Sequence, residues 1–199
     1  MKIPPLILLA LIGAVAPALA HDWQQLPESE LRFQGSQQGE RFDGRFQRFA
    51  SQIRFDPLDL ARARFDVRID LASVDSANSE RDQAVLGADW FDVARYPQAH
   101  FRTLGFRALG ENRFVADAEL QIRDRTQALQ FPFTWVADRD GVSLKASVVL
   151  DRLDFGLGKG EWADDELIGT QVTVTVDLRL ASLGSPPAER PGAAQSEHD

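Results

Sequence analysis

The chain has 199 residues, 22 basic against 30 acidic side chains, a formal net charge of −8 and no cysteine. So acidic a chain lacks the basic face that phosphate neutralisation needs, so nucleic acid is excluded as a partner. Without cysteine there is no disulfide, thiol nucleophile or thiolate metal site, and the fold must rest on its core alone.

The first twenty residues, MKIPPLILLALIGAVAPALA, carry one Lys, an apolar run and a small-residue end at Ala18-Leu19-Ala20. That is the three-part pattern of a secretory signal peptide. The run from Ile3 to Ala16 is short for a membrane span and holds Pro4, Pro5 and Gly13. Cleavage after Ala20 is expected, leaving an exported, periplasmic protein with no transmembrane anchor. Lys2 is the only charge in 1–20, so cleavage takes the net charge from −8 to −9. The expected organisation is a signal peptide at 1–20, one domain at 21–183 and a disordered tail at 184–199. The tail, GSPPAERPGAAQSEHD, has no side chains able to pack a core.

Period-two alternation dominates the domain. Eight strands are expected, near 30–36, 41–55, 62–73, 99–109, 113–124, 127–137, 142–150 and 170–181. In the third, Phe65, Val67, Ile69 and Leu71 share one face, with Asp66, Arg68 and Asp70 opposite. In the fifth, Phe114, Ala116, Ala118, Leu120 and Ile122 align. In the sixth, Leu129, Phe131, Phe133 and Trp135 do so. In the eighth, Val172, Val174, Val176, Leu178 and Leu180 oppose Thr173, Thr175, Asp177 and Arg179. Such segments are half-buried antiparallel strands. Gln38-Gly39-Glu40, Asp56-Pro57, Gly110-Glu111-Asn112 and Asp140-Gly141 mark turns between them. The stretch SERDQAVLGADWFD breaks the rhythm. Ser79 with Asp82 three residues on starts a short helix and Gly87 ends it, between the third and fourth strands.

Sequential strands with short turns predict an all-β, eight-stranded antiparallel up-and-down barrel, with a sandwich as the rival. Ten to twelve residues per strand give a height of about 35 Å. A barrel of this size is either filled by side chains or holds one small ligand, and periodicity leaves both open.

Chemistry motifs are few. DRLDFGLGKGEW (151–162) contains Asp-Phe-Gly and a Gly-rich run, but the chain has no kinase catalytic loop, and Lys159 is followed by Gly160 where a phosphate loop needs Ser or Thr. His21, His100 and His198 are too few and too scattered for a metal site, and Ser73 and Ser76 lack a nucleophile elbow. No enzyme constellation, metal site or cofactor is expected.

Several segments together resemble the YceI family of exported lipocalin-like proteins. They are FDGRFQRFASQIRFDP, then FDVRIDLASVDSANSERDQAVLGADWFDVARYPQAHFRT, then ELQIRDRTQALQFPF, then DRLDFGLGKGEWADDELIGTQVTVTVDLRL. The resemblance spans about 29–181. Arg125 departs from the glycine common there in the family. The resemblance implies an eight-stranded barrel that, in some members, holds an isoprenoid chain of quinone or polyprenyl type. It makes an apolar lipid carrier the first functional expectation. The alternative is a solid-core interaction or stress-related module serving a membrane redox partner. The aromatic residues expected to line a ligand cavity are Phe42, Phe46, Phe65, Phe101, Phe114, Phe131, Phe133 and Trp135. Because both connections follow odd-numbered strands, the helix of Arg81 and Asp82 and the 151–162 loop are expected to cover one barrel end. There Arg152 would pair with a helix carboxylate, and Trp90 or Trp162 would plug the gap.

Overall fold

A computed structural model describes residues 22–183. The expected signal peptide, His21 and the tail from Gly184 lie outside the described residues. The elements in chain order are β1 (Asp22–Gln25), β2 (Glu30–Gln37), β3 (Glu40–Phe46), β4 (Phe49–Arg54), β5 (Arg64–Asp70), β6 (Val74–Asp75), α1 (Ser79–Val85), β7 (Gln98–Gly110), β8 (Arg113–Ile122), β9 (Arg125–Asp138), β10 (Gly141–Asp151) and β11 (Gln171–Ser182). They close into an eight-stranded antiparallel barrel with one helix, as the alternation predicts.

One expected strand is split and another is shortened. The 41–55 strand breaks at Gln47-Arg48 into β3 and β4, and the 62–73 strand ends in a single 3-10 turn, Leu71–Ser73, before β6. Ser73 causes both breaks. Its hydroxyl accepts from the Arg48 amide at 3.0 Å and donates to the Asp70 carbonyl at 2.6 Å, while its carbonyl accepts from the Gln47 amide at 3.0 Å. This side-chain bonding replaces ladder bonds and bends the two strands together.

The split lets each half of the strand serve a different neighbour. β3 pairs with β2 and β6, whereas β4 pairs with β5 and β1. β1 was not expected, because Trp23 is the one apolar residue in Asp22–Gln25. It fills the wall between β4 and β11, antiparallel to both. Only that two-sided pairing makes so polar a segment a strand.

The barrel has two ends of different character. At one lie β1, the β4–β5 connection and the β7–β8 and β9–β10 turns. Phe55, fully buried just past β4, centres an aromatic plug there. Its ring centroid lies 4.6 Å from Trp135, 5.1 Å from Phe114 and 5.5 Å from both Phe106 and Phe133. Trp23 packs edge-on against Trp135 at 5.3 Å and donates its indole N–H to the Phe55 carbonyl at 2.9 Å. Each such ring pair is worth about 0.5–1.5 kcal/mol beyond burial, so this end is sealed and stable.

The other end carries the β2–β3 turn, α1, the β8–β9 turn and the 152–170 connection. Asn78 caps α1, its side chain accepting from the Arg81 amide at 3.0 Å. Asp82 instead turns back to accept from the Ser76 amide at 2.9 Å and hydroxyl at 2.6 Å.

Candidate functional site

Between the plug and the helix end, the barrel encloses a cavity of about 450 Å³, within the range of small-molecule sites. Its depth is apolar. Phe33, Phe46, Val67, Phe101, Phe131, Leu144 and Val174 contribute to the wall. Its polar wall residues, among them Ser36, Gln37, Ser76, Asn78, Glu80, Arg81, Asp82 and Arg152, all sit at the helix end. The site is therefore amphipathic, with a greasy shaft and a polar rim.

Two cross-strand pairs keep the shaft open. Phe33 lies opposite Gly44, and Gly35 lies opposite Phe42. A Cβ on Gly44 would come 2.3 Å from the Phe33 ring, and one on Gly35 would come 2.8 Å from the Phe42 ring. The rings fold over the bare glycine backbone along the wall rather than projecting into the centre. Phe33 was missed in the sequence, because the glycine beneath it belongs to another strand and only register brings the two together.

The predicted lining residues divide by depth. Phe42, Phe46, Phe65, Phe101 and Phe131 face the cavity. Phe114, Phe133 and Trp135 do not, and lie in the core with the plug. The expectation that all eight line one cavity needs this correction. Alternation puts Phe131, Phe133 and Trp135 on one face, but each step of two residues advances about 7 Å along the strand towards the closed end. Phe131 meets the cavity while its two successors fill the closed end.

The five capping residues do gather at one end. Trp90 and Trp162 approach to 6.3 Å between ring centroids, and the Gly158 amide donates to the Asp89 carbonyl at 2.7 Å, tying the 151–162 loop to the segment after α1. Arg81 donates to the Ser76 hydroxyl at 2.8 Å and to Gln37 at 3.1 Å, with its guanidinium 3.9 Å from the Phe42 ring centre.

Arg152 corrects the expectation of an ion pair. It is 4 % exposed, and no carboxylate stands within ion-pair distance of it among the described residues. Its guanidinium donates instead to five backbone carbonyls, those of Leu157, Gly158, Trp162, Ile168 and Gly169, at 2.6–3.1 Å. A guanidinium has five N–H donors, and here all are used. The 152–170 connection is wound round this one side chain. Burial pushes the Arg152 pKa down, and the charge of Asp151 partly opposes that. The glycines of the DRLDFGLGKGEW stretch serve this arrangement. Gly158 has φ +64°, and a Cβ there would come 2.6 Å from Arg152 and 2.7 Å from Trp90. Its neighbours are an arginine and an indole, not a phosphate.

Among the described residues, no three His, Asp or Glu side chains gather to hold a metal ion, and no helix is long and apolar enough to cross a membrane.

A closed antiparallel barrel with an apolar shaft and a polar rim is the architecture of a lipocalin-like domain. The family model for a YceI-like domain matches residues 24–180, and the chain belongs to that family. It is 27 % identical over 137 residues to a UPF0312 protein of Vibrio cholerae, covering 62 % of this chain and 70 % of that one. Among solved structures, Burkholderia cenocepacia BcnA superposes with a TM-score of 0.74 at 27 % identity, over 77 % of this chain and 96 % of that one. A polyisoprenoid binding domain from Saccharophagus degradans, implicated in plant cell wall breakdown, superposes with a TM-score of 0.63 at 18 % identity, over 82 % and 98 % of the two chains. At that identity the last likeness is one of fold.

Proposed function

We propose that this protein is an exported, periplasmic carrier that binds a long apolar isoprenoid or quinone-type lipid inside its barrel and performs no catalysis. The observation that carries this reading is the cavity itself. A shaft walled by Phe, Val and Leu gives an apolar chain a dry environment, worth about 25 cal/mol for each Å² removed from water. The rim of Gln37, Asn78, Glu80, Arg81 and Asp82 offers hydrogen bonds to a polar head group at the point where a chain would end. A fold neighbour described as a polyisoprenoid binding domain supports the ligand class. The leader-like first twenty residues support export.

The test is organic extraction of protein purified from its native compartment, followed by mass spectrometry, with uptake of a short-tailed ubiquinone followed by quenching of Trp90 and Trp162. A co-purifying isoprenoid, or saturable quenching at one quinone per chain, is expected. Absence of both would overturn the reading.

A further inference from the structure

The barrel wall has a seam. Pairing of β9 with β10 runs from Asp138↔Gly141 to Phe133↔Ala146 and stops there. Neither strand ends at that point. β9 stays paired with β8 as far as Arg125↔Ile122, and β10 stays paired with β11 as far as Asp151↔Gln171. The two strands therefore part company while each remains held by its other neighbour. The first step past the last pair sets Pro132 opposite Ser147, and proline has no amide to donate to a ladder. Nearer the helix end side chains bridge the gap, with Gln127 and Arg125 donating to the Asp154 carbonyl at 3.0 and 3.3 Å. Between these limits lies an unpaired run of about five residues, or roughly 17 Å of wall.

The seam connects two spaces. Leu129, Val148 and Leu150 line the central cavity and also line a groove on the outer face. All three point inward by alternation, yet each is only partly buried. On the outside the groove continues over Pro132, Val115, Leu109 and Val149, the last two 54 % and 60 % exposed. The cavity's rim beside α1 is polar. The seam, on the other side of the barrel, is apolar in its depth, with Arg107, Gln130 and Ser147 on its outer face. The comparable gap between β4 and β11 is filled by β1, and the one between β9 and β10 is not.

We propose that the β9–β10 seam is a lateral passage through which the apolar chain of the ligand slides into and out of the barrel. This rests on the lipid-carrier reading above. The helix end is not free to swing as a wide door, because Arg152 bolts its connection through five carbonyls. A chain crossing there would also have to pass charged side chains. At the seam the inner wall is Leu129, Val148 and Leu150, while the polar side chains, Arg107, Gln130 and Ser147, are exposed on the outer face.

The chain contains no cysteine, so a seam clamp can be built without interference. Continuing the β9–β10 register places Gln130 opposite Val149, both exposed. The Gln130→Cys/Val149→Cys variant is loaded, oxidised or reduced, with ubiquinone-2 in detergent-free buffer, and tryptophan quenching is followed by stopped flow. Oxidation is expected to slow uptake and release at least tenfold, with recovery on reduction. Val149→Asp, at an exposed position the fold tolerates, is the second arm. Its charge on the outer sill is expected to slow uptake severalfold while unfolding by urea is unchanged. Equal rates for oxidised and reduced forms, together with an unaltered rate for Val149→Asp, would overturn the passage while leaving the carrier reading intact. A wild-type protein that takes up no quinone at all would overturn both.

Discussion

Phe33 lies across Gly44 so closely that a β-carbon on the glycine would come 2.3 Å from the ring. The pair joins β2 to β3, and it decides whether the barrel is hollow. A ring laid along the wall leaves the shaft free. A ring lifted off the wall would enter it.

Gly44→Ala is accordingly expected to push Phe33 inward. Overpacking of this kind costs about 1–3 kcal/mol, so the variant should still fold. Quinone binding should weaken at least fivefold. Removing the ring as well, in Gly44→Ala/Phe33→Ala, should restore most of the binding. Titration of the two variants by tryptophan quenching, beside their urea unfolding, checks this.

The aromatic plug and the cavity should separate in a mutation series. Trp135→Ala and Phe133→Ala remove buried rings from the closed end and are expected to cost about 3–5 kcal/mol each. In the folded fraction their quinone affinity should stay within twofold of wild type. Phe131→Ala and Phe101→Ala, which strip the cavity wall, should lower affinity more than they lower stability. Urea unfolding and binding measured on the same preparations decide it, and a Trp135→Ala protein that is folded but does not bind would contradict this division.

Arg152→Met keeps the length of the side chain and removes all five donors. Each carbonyl left buried without a partner costs about 1–3 kcal/mol, so a loss of more than 3 kcal/mol is expected. Arg152→Lys keeps the charge but has three donors in place of five, and it should recover only part. If Arg152→Lys were as stable as wild type, the guanidinium's carbonyl bonds would not be what holds the 152–170 connection.

Acid sensitivity follows from aspartates on the outer wall. Burial pushes the Asp66 pKa up, but hydrogen bonds from His100 and Arg64 outweigh it and hold the group below the ordinary 3.8. Hydrogen bonds from Arg54 to Asp22 and from Arg179 to Asp138 hold those carboxyls below 3.8 as well. A carboxyl with a depressed folded-state pKa binds fewer protons folded than unfolded. Its stabilisation is complete above the unfolded value and is lost as pH falls through the folded one. The contribution of these carboxyls should therefore be complete above about pH 5 and decline below about pH 4, and Asp66→Asn should shallow that decline. Urea midpoints collected from pH 2.5 to 6 measure both slopes.

Much of the architecture was legible in the residues alone. Alternation at β5, β8, β9, β10 and β11 reports directly which side of a wall each side chain faces, because a strand's period does not depend on its neighbours. The connection count likewise placed α1 and the 151–162 loop at one end, since each strand reverses direction. Depth and register were not legible. Phe131, Phe133 and Trp135 read as equivalent in sequence, and only the height of each above Phe55 separates cavity from plug. β1 carries too little pattern to be a strand and becomes one through pairing on both sides. Arg152 sits among acidic residues in sequence, yet the fold of its loop surrounds it with carbonyls. Whether the barrel is hollow, and where its wall parts, depends on Phe33 meeting Gly44 and on Pro132 standing where β10 would pair. Those are contacts between strands, and a local pattern carries no information about which strand lies opposite.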